Sequence, residues 1–320
     1  MEAVVCGLLL FLAPHVSEAA VRKVLVICSV FPLADIVQQV GGERLQALTL
    51  IPPGASAHTY EPTPEQVRRL AEARVFFQIG LGLEFWLDKL VRAAKNPALR
   101  RVDLSQSIVP LPTPHVELAP ASGPGKQHAH EHRRARVPTG RRLQETAAQE
   151  GLDPHYWLDP VRMQEVLATI EQVLRDLDPE DAAGYTQRAA RVRGDLTDLH
   201  QEILQQTHGL HNRRFIAMHS AWTYFAPRYN LEQVAVIEPF PGREPSPRYL
   251  ADLARLMQRD GVRVIFMEPQ LSRSAAEALA REVGAKVGVL DPTGGPGIPG
   301  RDSYQALMRY NTAQLVQLLQ

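Results

Sequence analysis

The chain has 320 residues, with 35 basic and 35 acidic side chains, and so carries no net charge when histidine is neutral. That balance argues against nucleic acid and against an anionic membrane surface as partner. The length exceeds a comfortable single core, so two lobes are expected, and a hydrophobic content of 45% supplies both.

Ala3 to Ala13 form a short apolar run, and Ser17-Glu18-Ala19 then places small residues at the spacing a signal peptidase accepts. The run is too short to span a bilayer permanently. Residues 1–20 therefore read as a signal peptide and the protein as exported, periplasmic or otherwise extracytoplasmic. The n-region carries Glu2 and no Lys or Arg, which a misassigned start codon would explain. Cleavage leaves Cys28 as the only cysteine, so no internal disulfide can form, and its setting in Val24-Leu-Val-Ile-Cys28 predicts a small buried side chain.

After the leader, strand-like and helix-like runs alternate. Lys23 to Cys28 predicts a buried strand, and Pro32 to Val40 a helix that Gly41-Gly42 stops. Leu45 to Ile51 alternates as a second strand and ends at Pro52-Pro53-Gly54. Thr63-Pro64-Glu65-Gln66 is a capping box opening a helix to about Ala73. A strand over Val75 to Ile79, a helix over Glu84 to Ala94 and a weak strand over Arg101 to Leu104 complete the first alternation. From Pro110 to Glu150 the pattern dissolves into Pro, Gly, Ala, Ser, His and Arg, which predicts a mobile loop. The loop holds His115 and the tract His128-Ala129-His130-Glu131-His132, a candidate low-affinity metal antenna.

Pro160 to Leu177 is amphipathic. Asp178-Pro179-Glu180 then caps a helix running to about Thr207, on the order of 40 Å at 1.5 Å per residue, which reads as a connector over 179–207. A second alternation follows over 208–320. Strands are expected at Phe215 to Met218, Gln233 to Ile237, Val262 to Met267 and Lys286 to Leu290. Helices are expected at Ser220 to Ala226, Ser246 to Arg259, Ser272 to Val283 and Ser303 to Leu318. The fold class is thus α/β: two β/α lobes, residues 21–178 and 208–320, with mainly parallel four-stranded sheets bridged by one long helix.

Three histidines occupy similar settings. His58 and His219 each lie past a strand-like run. His155 sits between two Asp-Pro pairs in Asp153-Pro-His155-Tyr-Trp-Leu-Asp-Pro160, on a stiff loop at the mouth of a helix. In open α/β sheets, ligands bind beyond the carboxyl ends of strands, so the three could meet in the cleft between lobes. Asp291, in Leu290-Asp-Pro292, is a candidate fourth ligand against a turn-forming Asp-Pro. Glu238 and Glu268 are further candidates, and Glu61 could hydrogen-bond a ligand histidine. Three imidazoles and one carboxylate form a nitrogen-rich tetrahedral set suited to Zn2+, whereas manganese favours more oxygen donors.

These residues carry a resemblance. Leu50-Ile-Pro-Pro-Gly-Ala-Ser-Ala-His58-Thr-Tyr-Glu-Pro-Thr-Pro64, Gly80-Leu-Gly-Leu-Glu84 with Trp86-Leu87, the His155 segment, His219-Ser-Ala-Trp-Thr-Tyr-Phe225, Glu244-Pro-Ser-Pro247, Val264-Ile-Phe-Met-Glu-Pro269 and Leu290-Asp291-Pro292 run in order through the mature chain. Together they resemble the zinc-uptake branch of the metal-binding solute-binding proteins of ABC importers. The resemblance implies metal held by His58, His155, His219 and Asp291, two lobes bridged by a long helix, and a membrane permease as partner. It also implies a His-rich loop where residues 110–150 lie. The chain departs from some zinc relatives in having Ala57 where they carry an acidic residue, in lacking a disulfide in the second lobe, and in its short His-rich tract.

The expected function is capture of zinc outside the cytoplasm and delivery to an ABC importer, by a monomer without enzymatic activity. Manganese or iron uptake is the alternative within the family. A zinc hydrolase is the alternative outside it, disfavoured because no His-Glu-x-x-His motif is present and four protein ligands would leave no position for an activated water.

Overall fold

Strand and helix follow one another twice in this computed structural model, which describes residues 23–114 and 151–320. In the first round, β1 (Val24–Cys28), α1 (Phe31–Gly41), β2 (Leu45–Thr49), α2 (Pro64–Glu72), β3 (Val75–Gln78), α3 (Leu87–Ala94) and β4 (Arg100–Asp103) build a parallel sheet in the order β2-β1-β3-β4. In the second, β5 (Arg214–Ala217), α6 (Phe225–Arg228), β6 (Glu232–Val236), α7 (Pro247–Asp260), β7 (Val264–Met267), α8 (Ser274–Val283), β8 (Lys286–Val289) and α9 (Tyr304–Leu319) build a parallel sheet in the order β6-β5-β7-β8. Between them run α4 (Pro160–Leu177) and the long α5 (Ala182–His208). The two-lobed α/β fold with parallel four-stranded sheets and a long helix is therefore present.

Local chemistry explains most element ends. Thr63 forms the expected reciprocal capping box with Gln66 ahead of Pro64, and Asp159 and Ser246 cap α4 and α7, each ahead of a proline. The helices expected from Glu84 and from Ser220 start later than the sequence predicts. The run from Glu84 begins its helix only at Leu87, because Gly80, Leu81 and Gly82 all take positive φ and turn the chain first. The run from Ser220 is helical only over Phe225–Arg228. Ahead of it, His219 to Tyr224 form a turn that buries Trp222 against Phe225.

Side chains of β5 point alternately into two cores. Phe215 and Ala217 join a core that continues through α4, α5 and α1, whereas Ile216 and Met218 face a separate cluster beneath α7 and α8. At about 1.5 Å per residue, the 27 residues of α5 span on the order of 40 Å. Tyr185, Ala189, Val192, Leu196, Leu199 and Ile203 bury one stripe of it. The halves are also joined away from α5. Asp35 on α1 accepts the Tyr304 N–H at the start of α9 (2.8 Å), and Gln39 and Gln305 exchange side-chain hydrogen bonds at 3.1 Å.

The proposed signal peptide, residues 1–20, and the His-rich tract with His115, His128, His130 and His132 lie outside the described residues. The two chain ends flanking the latter are adjacent. Pro112 and Leu152 form an antiparallel bridge, Thr113 N–H donates to the Gly151 carbonyl (2.5 Å), and Asp153 N–H donates to that of Leu111 (2.8 Å).

Candidate metal centre

His155 is placed by a segment that both halves grip. Pro154 and Pro160 restrict the chain, and the residues between the prolines form one 3-10 turn, His155–Leu158. The Tyr156 hydroxyl donates to the Ile79 carbonyl beyond β3 (2.9 Å), and Trp157 Nε1–H donates to the Pro292 carbonyl of the second lobe (2.7 Å). The Tyr304 hydroxyl donates to the Trp157 carbonyl (2.8 Å), and that of Tyr224 to the Asp153 carbonyl (2.9 Å). Asp159 caps α4 with one oxygen and holds Arg228 with the other at 2.8 Å. A side chain mounted this way has little freedom to move.

The loop after β2 carries His58 to the rim of a cleft of about 370 Å³, and His219 follows β5 directly. The cleft is lined also by Leu81 and Leu83 of the turn after β3 and by Pro239, Phe240 and Pro241 beyond β6. Glu238 holds this last segment in place by accepting the Gly242 N–H (2.8 Å). Within the cleft His58, His155 and His219 bring one ligand nitrogen each within 4.8 Å of the others. His155 Nε2 is 3.0 Å from His58 Nε2 and 3.1 Å from His219 Nε2. Three nitrogens on a tetrahedral zinc at ~2.05 Å would stand ~3.3 Å apart, so a slight spreading admits the ion.

The opposite ring nitrogens show which way the lone pairs point. His155 Nδ1 donates to Asp153 Oδ1 (2.8 Å) and His219 Nδ1 to Glu268 Oε1 (2.7 Å). These bonds put the proton of each neutral ring on Nδ1 and leave Nε2 as a donor to metal. Asp153 also accepts the His155 backbone N–H, fixing the turn from within. Burial, reinforced by the other two rings, holds the His58 imidazole well below its usual pKa, in the neutral form a metal needs. At His219 burial pushes the pKa down, but the Glu268 carboxylate outweighs it and the net shift is upward. Three lone pairs cannot face one another without a cation between them, and His219 is the ring best placed to hold a proton when no metal does.

Asp291 does not join this group. Its carboxylate is 1% exposed. Oδ2 accepts from Arg301 Nη1 (2.8 Å), while Oδ1 accepts the backbone N–H groups of Thr293 and Gly294 (3.0 Å each) and Gln270 Nε2 (2.8 Å). Glu61 is exposed, whereas Glu268 and Glu238 are both buried. The sequence reading missed Asp153 as a partner of His155, although a side chain two residues ahead of the histidine, fixed by an intervening proline, is the signal that could have found it.

A family model described as zinc-uptake complex component A, periplasmic (ZnuA), matches residues 26–318. The chain belongs to this family. A metal-binding protein of Treponema pallidum (strain Nichols) is 30% identical over 265 residues, covering 83% of this chain and 78% of the relative. The zinc-binding lipoprotein AdcA of Streptococcus pneumoniae (strain ATCC BAA-255 / R6) is 25% identical over 290 residues, 91% of this chain but 54% of AdcA, so the chain spans about half that relative's length. Among solved structures, a ZnuA deletion mutant with zinc bound superposes with a TM-score of 0.73 at 29% identity, over 93% of this chain and 98% of the other. Members of the ZnuA family are substrate-binding components of uptake systems, which makes this chain a metal-binding protein of that type. Among the described residues no helix is long and apolar enough to cross a membrane.

Proposed function

We propose that this chain captures one zinc ion outside the cytoplasm through His58, His155 and His219 and hands it to the membrane permease of an ABC importer. The observation that carries the reading is the convergence of three imidazole Nε2 atoms, two of them with Nδ1 bonded to buried carboxylates. An all-nitrogen set suits zinc better than manganese, whose preference is for oxygen donors. The zinc named for AdcA and present in the ZnuA deletion mutant supports the same choice. In this reading residues 1–20 export the protein, 21–178 and 208–320 act as two lobes around the cleft with 179–207 connecting them, and the protein works as a monomer without catalysis. The ties between the halves at Trp157, Asp35 and Gln39 favour release by local loop movement over wide lobe opening.

The test is elemental analysis of protein purified without added metal, followed by chelator competition on His58→Ala, His155→Ala and His219→Ala. One zinc per chain and a sharp loss of affinity in each variant are expected, because each substitution removes one of three protein ligands. Parental affinity in all three variants overturns the site. Three protein ligands also leave a fourth position open, as in hydrolytic zinc sites. Turnover of ester or peptide substrates, abolished by His155→Ala, would establish that second reading.

A further inference from the structure

We infer that Glu84 is a positioning residue for metal capture, fixing through a single peptide unit the mount that carries His155. The inference rests on the zinc-capture reading of the three histidines and adds what holds one of them ready before the ion arrives. Glu84 is buried behind the turn after β3 and is not among the residues that line the cleft. Its Oε1 accepts the Ile79 N–H (2.8 Å) and its Oε2 the Gly80 N–H (3.0 Å). The Gly80 N–H belongs to the same planar peptide unit as the Ile79 carbonyl, and that carbonyl accepts the Tyr156 hydroxyl (2.9 Å). Tyr156 follows His155 directly in the 3-10 turn. A carboxyl group at one end of the unit and a phenol at the other thus fix its plane, and hydrogen bonds in such a chain polarise and strengthen one another. Burial, with the Glu84 and Asp103 charges adding to it, holds the Tyr156 pKa well above the usual tyrosine value, so the hydroxyl stays a donor.

The turn that Glu84 holds would not keep its shape unaided. Leu81, at φ +53°, occupies a region that side-chain-bearing residues rarely enter, between Gly80 at +82° and Gly82 at +81°. A Cβ on Gly80 would collide with Asp103 Oδ1 and Ser105 Oγ, so the end of β4 closes on the turn from the side. Leu83 N–H donates to the Gly80 carbonyl (3.1 Å), and Leu81, Gly82 and Leu83 line the cleft together with the three histidines. Two residues beyond Glu84, the Trp86 ring meets that of Tyr60 edge to face at 5.6 Å, and Tyr60 lies two residues beyond His58. The segment from Ile79 to Trp86 therefore reaches close neighbours of both His155 and His58. Without the Glu84 carboxyl group, two buried N–H groups lose their acceptor, and the peptide unit is free to turn and carry the Tyr156 anchor with it. The arrangement of His155 that can take the ion then falls in population in the metal-free protein, and apparent affinity falls by the same factor.

The experiment measures zinc affinity by chelator competition in Glu84→Gln, Tyr156→Phe and the double variant. It is run at pH 8.5, where Glu84, its pKa raised to about 7 chiefly by burial, is ionised. Denaturant unfolding of each metal-free protein confirms that affinity is read on folded chains. Glu84→Gln sets an amide NH2 against one of the two backbone N–H groups, and zinc binding should weaken about tenfold, the lower end of the range for groups that orient metal ligands. Tyr156→Phe keeps the ring and loses only the bond to Ile79, and should weaken binding about fivefold, the worth of one neutral hydrogen bond. Because both act through one peptide unit, the double variant should bind no more weakly than Glu84→Gln alone. Leu70→Ala, which opens a cavity at the buried side chain of α2, should lose stability and keep the parent's zinc affinity. Parental affinity in Glu84→Gln overturns the inference. Parental affinity in Tyr156→Phe does so too, and stands even where Glu84→Gln folds poorly. Losses that multiply in the double variant, or a loss in Leu70→Ala as large as that in Glu84→Gln, also overturn it. If the parent itself holds no zinc, or His155→Ala leaves its affinity unaltered, the zinc-capture reading has failed instead.

Discussion

Glu268→Gln isolates the charge behind His219. Glu268 is 2% exposed, accepts His219 Nδ1–H at 2.7 Å and the His219 backbone N–H at 3.3 Å, and has a second oxygen without a hydrogen-bond partner among the described residues. Glutamine retains the accepting oxygen, so the ring can keep its orientation and tautomer while the negative charge disappears. Across the imidazole, that charge lies about 6–7 Å from a zinc bound at Nε2. At an effective dielectric constant near 20, a single charge and a dication at that distance attract by about 5 kcal/mol. Most of this cancels, because in the metal-free protein the same carboxylate stabilises a proton on His219. The expected net loss is therefore about 10- to 100-fold in zinc affinity, or roughly 1.4–2.7 kcal/mol. The sign with pH follows. Glu268 raises the His219 pKa, so in the parent a proton competes with zinc even above the ordinary histidine range, and affinity falls as pH falls through that raised value. Glu268→Gln removes the elevation, so its deficit should be larger at pH 8.5 than at pH 7, and the proton released on binding at neutral pH should decrease. Chelator competition at the two pH values gives the affinities. Titration calorimetry in buffers of different ionisation enthalpy gives the proton count. Parental affinity together with parental proton release would refute the assignment of Glu268.

Three further outcomes are expected. Deleting residues 115–148 should leave the tight zinc site intact and lower only the number of weakly bound ions by equilibrium dialysis, and loss of the tight site would contradict this. Asp291→Asn should destabilise the metal-free protein by about 3 kcal/mol in denaturant unfolding, because it leaves the Arg301 charge largely buried and unpaired. A stability equal to the parent's would show that the pair is energetically idle. Glu84, buried beneath the turn after β3 and accepting the Ile79 and Gly80 N–H groups, has its pKa raised to about 7, chiefly by burial. The native state therefore holds a proton that the unfolded chain has lost above about 4.3, so this stabilisation is full below that pH and declines as pH rises through about 7, by roughly 3 kcal/mol. The parent minus Glu84→Gln difference in unfolding free energy should show that slope, and a flat difference would exclude it.

Hydrophobic runs punctuated by Ser-Pro, Asp-Pro and Thr-Pro pairs made most of the fold legible, since these signals act within a few residues. The start of α3 escaped because three consecutive positive φ values, one of them at Leu81, reflect a packed turn that no local pattern announces. The stretch after His219 has helix-compatible composition, yet Ala221 and Trp222 are buried in a turn, so tertiary packing overrode propensity. That His58, His155 and His219 would converge was legible from their places at strand and helix ends. The partners of those histidines were less so. Glu268 meets His219 across 49 positions, and Asp291 is engaged by an arginine that only a ten-residue return loop brings within reach.

The bridge between Pro112 and Leu152 has a consequence for how this chain can diverge. Because the segments ending at Pro114 and beginning at Gly151 are already paired side by side at the cleft, the cost of connecting them depends only weakly on the number of residues between, 115–150 here. Doubling or halving those 36 residues changes the closure term by about 0.6 kcal/mol, less than most single core substitutions. A change in the number of intervening residues therefore costs the connection little, while one residue beyond the bridge Asp153 holds the His155 ring by a 2.8 Å hydrogen bond.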